Sequence, residues 1–426
     1  MTPVPLDLPL RPSEAAELAN LVFDQAERKP LTDDVRNRLA ARASVLRLET
    51  IQPYFGSLER DPVHPSVYYL AIDGDKGEPL LLHMALATAP TSSIFYKPLL
   101  IGRVRRLNGP EMVINAIPFG ASDQDHLDKF TASIDSAFLP RPQGSRTAIA
   151  VAGARPEADF PAAFDAFRGI LKRTGKNLAA LSVPATVSSA RGHYSAGLWA
   201  AIRAGWREGY SHTLKIPACA DSLDAAKETI RQAAGFSGFS VDIAPLAGWP
   251  QAAAAEAANA WILDEFGRAF EVGGMTYEFG ADQVERLVRK FGAGLAAAAQ
   301  LHEFIRETRA AAKPVRSFDF EISFEGAGEA TAPEELLFCL HWLRTSGHAT
   351  QLAAPALGDE PEWMEPLAAI ARHYQCSWSV ACPAEGVSAG FDRVVRAGQG
   401  RLHLQFSASA GDVRDGVERL AAQLLG

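Results

Sequence analysis

The chain has 426 residues, of which 47% are hydrophobic and 22% charged, and a formal net charge of −8 at pH 7. Because single hydrophobic cores stop growing at roughly 250 to 300 residues, this length predicts two domains. The acidic balance argues against nucleic acid as the main partner, since phosphate binding needs a concentrated basic surface. No apolar run is long enough to span a bilayer, so no membrane partner is expected.

The N-terminal residues carry early acidic side chains and lack an apolar stretch beside a basic end. This pattern is not that of a signal peptide, so a cytoplasmic protein is expected. The four cysteines have neither paired nor metal-finger spacing and are expected to be buried thiols. They are Cys219, Cys339, Cys376 and Cys382. The composition is compatible with a homo-oligomer but does not specify the oligomeric state.

Residues 1–140 predict a smaller α+β domain. Residues 13–27 have helical spacing, whereas residues 67–75, 79–89 and 110–120 have the spacing of strands. A boundary rich in Pro and Gly follows at residues 140–145, where the pattern changes.

From residue 146 to the end, short apolar runs alternate with helical segments eight times, which predicts a (β/α)8 TIM-type barrel. An Ala-rich helical insertion at about residues 250–312 interrupts the series after the fourth strand. In a closed barrel the first and last strands pair, and the last helix packs beside the first. The predicted strands are TAIAVAG, LAALSVP, HTLKIPA, GFSVDIA, SFDFEISFEG, ATQLAA, CSWSVAC and RLHLQFS.

The fifth predicted strand, residues 317–326, has one apolar face and one acidic face. Successive side chains of a strand point in opposite directions, so Glu321 and Glu325 share the acidic face. In a barrel the apolar face meets the helices and the acidic face lines the interior. The same phase sends further polar side chains inward, whereas a purely structural interior is dominated by branched apolar residues. The polar interior set is Lys215, Asp242, Glu321, Ser323, Gln351, Ser379, His403 and Gln405.

Carboxylates inside a barrel are costly to desolvate unless they meet a partner, a ligand or a metal. Glu321 and Glu325 are therefore candidates for acid–base catalysis or metal binding, or else for a buried ion pair with Lys215 or Arg401. Asp242 is placed to form a carboxylate pair with Glu321, or else to cap a turn before Pro245.

Three roles are open to Lys215: it could neutralise the acidic side chains, stabilise an enolate oxygen, or form an imine through its amine. His403 is expected to transfer a proton or bind a metal, or to be a hydrogen-bonded core histidine. His193 follows the second strand, where it contacts substrate or caps a helix. Further substrate-binding candidates are Gln351, Ser323, Gln405 and Glu325.

The segment FDFEISFEGAGEATAPEELLFCLHWLRTSG, with the later AAIARHY, resembles the tagaturonate epimerase family of bacterial sugar-acid enzymes. The likeness is clearest over residues 317–374 and weaker over residues 209–245. The resemblance implies a barrel enzyme that inverts a hydroxyl-bearing carbon of a keto-sugar acid with the help of a divalent metal. It also implies that Asp242 and Glu321 are metal ligands.

Two histidines of that family are missing from this sequence. SWSVACPAEG stands where the family's seventh strand ends with a His, and VDIAPLAGWP lacks the His that follows the fourth strand. Any cation would need His403, Gln351 or water to complete its ligand shell. We therefore expect Lys215 to pair with the carboxylates, and no tightly bound transition metal.

The leading functional hypothesis is an isomerase, similar to a sugar-acid epimerase, that transfers protons through Glu321 or Lys215. The first alternative is a metal-free lyase or aldolase in which Lys215 forms an imine. The second alternative is a non-catalytic barrel that binds a sugar acid or another protein.

Overall fold

The structure is a computed structural model of the full chain, which forms two compact units. One unit comprises Met1–Leu139 and Ser195–Gly209, and the other comprises Pro140–Tyr194 and Tyr210–Gly426. The described residues are 17–22, 31–43, 45, 51–74, 79–88, 99–105, 109–118, 124–153, 155–184, 189–216, 223–244, 260–311, 316–358, 361–382, 391–408 and 412–425.

The first unit is built on a five-stranded antiparallel sheet in the order β1-β2-β3-β5-β4. Its strands are β1 (Ile51–Arg60), β2 (Ser66–Asp73), β3 (Pro79–Leu86), β4 (Leu99–Arg105) and β5 (Glu111–Pro118). Helix α1 (Asp33–Ala43) packs against β1, and helix α2 (Gln124–Ser133) follows the sheet. Strands β1 and β4 were not predicted. Each pairs with a register shift, and such irregularities interrupt the alternation by which a strand is recognised.

Residues 195–209 belong to the first unit, although the sequence pattern assigned them to the barrel. The backbones of Gly56 and Gly205 approach so closely that a Cβ atom at Gly56 would lie 2.9 Å from the Gly205 Cα. Arg207 donates to Asp135 at 2.8 Å and also to the Gly56 carbonyl. These contacts depend on tertiary proximity, which local spacing does not encode.

The second unit is a closed barrel of eight parallel strands, which confirms the predicted fold class. The predicted pairing of the first and last strands is also confirmed, since the last strand pairs in parallel with the first. The strands are β6 (Ala148–Ala152), β7 (Ala179–Pro184), β8 (Ser211–Ile216), β9 (Gly238–Asp242), β12 (Asp319–Ser323), β13 (Leu352–Ala354), β14 (Ser377–Cys382) and β15 (Leu402–Ser407).

Helices cover the barrel, and the last of them packs against the first as predicted. The insertion after β9 contains a hairpin of β10 (Phe270–Val272) and β11 (Met275–Tyr277), which the sequence pattern did not reveal. The helices that follow β6 along the chain are α3 (Pro156–Thr174), α4 (Ala190–Ala204), α5 (Leu223–Gln232), α6 (Ala260–Phe266), α7 (Ala281–Ala311), α8 (Pro333–Thr345), α9 (Met364–His373), α10 (Phe391–Gly398) and α11 (Val413–Leu425). Residues 195–204 of α4 belong to the first unit.

The Pro- and Gly-rich stretch at residues 140–145 does more than mark a boundary, because it contacts the amino ends of the strands. The backbone N–H groups of Gln143 and Gly144 donate to the Asp319 carboxylate, and Ser377 Oγ donates to the Gly144 carbonyl at 3.2 Å. Asp319 is only 4% exposed. The amino end of the barrel is thus tied to this stretch by hydrogen bonds to a buried charge.

Within the described residues, no helix is both long enough and apolar enough to cross a membrane. Cys339, Cys376 and Cys382 are buried free thiols, as expected from their spacing. Cys219 lies outside the described residues.

Candidate functional site

The carboxyl end of β12 leads into a tight turn that Asp242 holds in place. Asp242 Oδ1 accepts a hydrogen bond from the Ala244 N–H at 2.9 Å, and Oδ2 accepts one from the Gly326 N–H at 2.8 Å. A Cβ atom at residue 326 would lie 2.7 Å from Asp242 Oδ2, so the close approach requires glycine. Ser323 Oγ accepts a further bond from the Glu325 N–H at 3.2 Å. The contacts of Asp242 are therefore those of a carboxylate that caps a turn, which was one of its two expected roles.

Glu325 is the carboxylate that pairs with Lys215. The Lys215 Nζ lies 2.9 and 3.2 Å from the two carboxylate oxygens of Glu325. The side chains of Lys215 and Glu325 are 27% and 36% exposed, respectively. Both charges are partly open to solvent at the end where barrel sites lie, so a ligand can reach them.

Glu321 lies deeper in the barrel and is only 2% exposed. Its Oε1 accepts a hydrogen bond from Ser240 Oγ at 2.6 Å. Burial raises the pKa of Glu321, whereas the Lys215 charge and hydrogen bonds from Ser240 and Ser379 oppose the rise. Burial likewise raises the pKa of Asp242, against the effect of its two backbone donors.

Ser379 links Glu321 to the last strand of the barrel. Its hydroxyl accepts a hydrogen bond from Gln405 Nε2 at 2.7 Å and lies 3.3 Å from His403 Nδ1. A hydroxyl has one proton to donate and two lone pairs. If that proton goes to Glu321, His403 Nδ1 must carry a proton and donate to Ser379. This arrangement leaves His403 Nε2 as a bare acceptor.

Several buried polar atoms of the interior lack hydrogen-bond partners among the described residues. They include His403 Nε2, Gln405 Oε1, Ser182 Oγ and Ser211 Oγ. Buried polar groups are normally satisfied, so unpartnered acceptors indicate a place for water or for a ligand hydroxyl. Burial, followed by the Lys215 charge, lowers the pKa of His403 to about 4. The histidine is therefore neutral at pH 7.

Small side chains stand beside these polar groups. Ala148, Ala150 and Ala180 form a separate buried cluster on β6 and β7. Pairing sets Gln405 beside Ala150, and Ala150 beside Ala180. Small residues here leave room for the longer polar side chains of the neighbouring strands.

Two predicted substrate contacts lie away from this cluster. The Gln351 side chain accepts a hydrogen bond from the Phe320 N–H at 2.8 Å and donates to the Ala349 carbonyl, so it serves the backbone at the start of β12. His193 interacts electrostatically with His212, whose ring packs 5.6 Å from that of Phe160 on helix α3. His193 itself lies on helix α4, in the layer of helices.

Among the described residues, the two carboxylates expected to be metal ligands, Asp242 and Glu321, already accept hydrogen bonds from the protein. Both oxygens of Asp242 accept backbone N–H groups, and Glu321 is bonded to Ser240. Among the described residues, three potential metal-ligand atoms come together at a different place, His302, Glu303 and His348. At the carboxyl end, Lys215 brings a positive charge to Glu325.

Sequence reasoning offered both Glu321 and Glu325 as partners for Lys215 without deciding between them, and it missed the cluster of His302, Glu303 and His348. Glu325 belongs to the predicted acidic face, but the turn held by Asp242 decides which carboxylate reaches Lys215. His302 and His348 lie far apart in sequence and in different elements, so no spacing rule joins them. The only available signal was the adjacent pair of residues, His302 and Glu303, on one helix.

Comparisons with known proteins give structural neighbours only. No protein-family model matches the sequence, and no curated protein matches it significantly. The structure is similar to a one-glycerol complex of fructuronate-tagaturonate epimerase UxaE from Cohnella laeviribosi, with a TM-score of 0.59 and 16% identity. That alignment covers 89% of this chain and 76% of the other.

Two further structures of the same Cohnella laeviribosi epimerase agree. A two-glycerol complex has a TM-score of 0.58 and 19% identity, and the native form has 0.57 and 17%. Each of the two alignments covers 87% of this chain and 75% of the other. At this level of identity the likeness establishes a shared fold, and the site residues must be judged on their own geometry.

Proposed function

We propose that the chain is an epimerase or isomerase of keto-sugar acids that transfers a proton at the carboxyl end of its barrel. The observation that supports this most is the partly exposed Lys215–Glu325 ion pair above the buried Glu321. The fold shared with a fructuronate-tagaturonate epimerase supports the same class of substrate.

Inversion next to a carbonyl group needs a base for the carbon-bound proton and a positive group for the enolate. Glu325 is the accessible carboxylate and accepts the proton. The C–H electron pair moves into the new C=C bond, and the Lys215 ammonium stabilises the charge on the former carbonyl oxygen. A proton from water returns to the opposite face and inverts the carbon, and Glu325 then releases its proton to solvent.

Lys215 is suited to this role because its charge reaches several groups. It opposes the rise in the pKa of Asp242 and of Glu321, and it contributes to the lowered pKa of His403. An ammonium that interacts with nearby carboxylates also attracts the carboxylate of a sugar acid. The unpartnered acceptors His403 Nε2 and Gln405 Oε1 would receive hydrogen bonds from substrate hydroxyl groups.

The test is turnover of a panel of keto-hexuronates in D₂O, followed by NMR. The wild-type protein should give the epimer with deuterium at the inverted carbon. Lys215→Met and Glu325→Gln should each slow this reaction by about 100-fold or more. Lys176→Met is the matched control, because Lys176 is exposed in the loop before β7, at the opposite end of the barrel.

Two results would replace the proposal with its alternatives. Covalent trapping of a keto acid on Lys215 by borohydride would establish an imine-forming lyase or aldolase. Binding of keto acids without epimer formation or deuterium exchange would indicate a non-catalytic barrel.

A further inference from the structure

His302, Glu303 and His348 form a cluster at the amino end of the barrel, away from Lys215. His302 and Glu303 lie in the last third of helix α7, and His348 lies between helix α8 and β13. The His302 ring lies 5.4 Å from the ring of Phe318 and 5.0 Å from that of Phe320, at the start of β12. The cluster therefore joins an insertion helix to a loop of the barrel.

We infer that these three side chains bind a divalent transition metal ion such as Zn²⁺. One ligand atom from each residue lies within 4.8 Å of the other two. Glu303 Oε1 lies 3.3 Å from His348 Nε2 and 3.7 Å from His302 Nδ1. Ligand atoms around a tetrahedral zinc ion are about 3.3 Å apart, as follows from metal–ligand distances of about 2.0 to 2.2 Å.

The contacts of the cluster leave ligand atoms of the three side chains facing one another. Arg306 pairs with Oε2 of Glu303, which leaves Oε1 to face the two imidazoles. His302 Nδ1 is buried and has no hydrogen-bond partner among the described residues. Two imidazoles and one carboxylate are a ligand set that suits zinc, nickel or copper better than magnesium or calcium. Water would complete the coordination.

The expected consequence is structural. A bound ion would tie helix α7 to the loop before β13, and ligands that bind only the folded state stabilise it. The site lies at the opposite end of the barrel from Lys215 and Glu325. Metal at this site should therefore raise the melting temperature without altering any reaction at the carboxyl end.

The experiment uses full-length, tag-free protein treated with chelator and titrated with ZnCl₂ by calorimetry. One zinc ion should bind per chain, and bound zinc should raise the melting temperature of the protein. His348→Gln keeps a hydrogen-bond donor for Glu303 but removes an imidazole, so zinc affinity should fall at least about tenfold. His373→Gln is the matched control, because His373 is exposed on helix α9, and zinc affinity should remain unchanged.

A spectroscopic measurement does not depend on whether a variant folds. Cu²⁺ added to the wild-type protein at one equivalent should give an electron paramagnetic resonance spectrum with coupling to two imidazole nitrogens. The inference fails if the wild-type protein takes up no zinc, if His348→Gln binds zinc as tightly as wild type, or if the copper spectrum lacks imidazole nitrogen.

Discussion

Asp319 and Glu325, which the sequence pattern places on one acidic strand face, have opposite environments at the two ends of the barrel. At the amino end, Asp319 is 4% exposed and receives the N–H groups of Gln143 and Gly144. At the carboxyl end, Glu325 has a side chain that is 36% exposed and faces Lys215. A buried carboxylate that accepts backbone hydrogen bonds stabilises the fold. A partly exposed ion pair contributes little stability and remains available to a ligand.

Glu321 lies on β12 between these two ends. Its substitution tests whether this carboxylate serves the reaction or the fold. Glu321→Gln preserves shape but removes the charge beneath Lys215, and it should reduce turnover by about 100-fold or more while the fold stays intact. The measurements are epimerisation rate and circular dichroism. Wild-type turnover in this variant would remove Glu321 from the site.

The same variant has a stability signature. Because burial raises the pKa of Glu321, the folded state retains this proton better than the unfolded state. Wild-type stability is therefore lost as pH rises from the unfolded pKa through the raised folded pKa. Glu321→Gln lacks this loss. In urea unfolding, the free energy of unfolding of the variant minus that of the wild type should therefore increase as pH rises between these two pKa values.

Asp319→Ala should destabilise the amino end of the barrel. It leaves two backbone N–H groups without their acceptor, and the expected loss of unfolding free energy is about 2 to 4 kcal/mol. The rate per folded molecule should stay unchanged. Glu325→Ala is the contrasting variant and should change stability by about 0 to 1 kcal/mol, as expected for a surface ion pair. Equal losses in the two variants would contradict the comparison.

His212 adds acid sensitivity near the amino end of β8. Its ring is fully buried, 4.4 Å from that of Phe236, and burial, followed by the His193 charge, lowers its pKa from 6.5 to about 3. The folded state requires the neutral ring, so stability is lost as pH falls from the unfolded pKa towards 3. At pH 5 this loss is about 2 kcal/mol.

His212→Phe should remove that share of the pH dependence in urea unfolding between pH 7 and pH 5. His373→Phe, at an exposed position, should leave the pH dependence as it is. An unchanged slope in His212→Phe would show that His212 does not resist protonation in the folded state.

Gly326→Ala should have the smallest effect. The added methyl group would meet Asp242 Oδ2 at 2.7 Å and displace the turn that carries Glu325. Overpacking of this kind costs about 1 kcal/mol, so turnover should fall by a few fold. Gly192→Ala, where a Cβ atom meets nothing within 4 Å, is the control. A larger rate loss at Gly192 than at Gly326 would refute the role assigned to the turn.

The sequence by itself determined the eight strands, their closure and the polar phase of the barrel interior. These properties follow from local periodicity, because alternation along each strand decides which side chains point inward. Ser379, His403 and Gln405 were assigned to the interior in this way, and they contact one another there.

Only the tertiary structure decided which polar groups meet. Lys215 pairs with Glu325 because Asp242 holds the turn that carries Glu325. Gln351 bonds to the backbone of Phe320 because it precedes β13, at the amino end of the barrel. His302 and His348 come together through the packing of separate elements. Partners of this kind depend on strand register and helix packing, which are cooperative properties of the whole barrel and leave no spacing pattern in the chain.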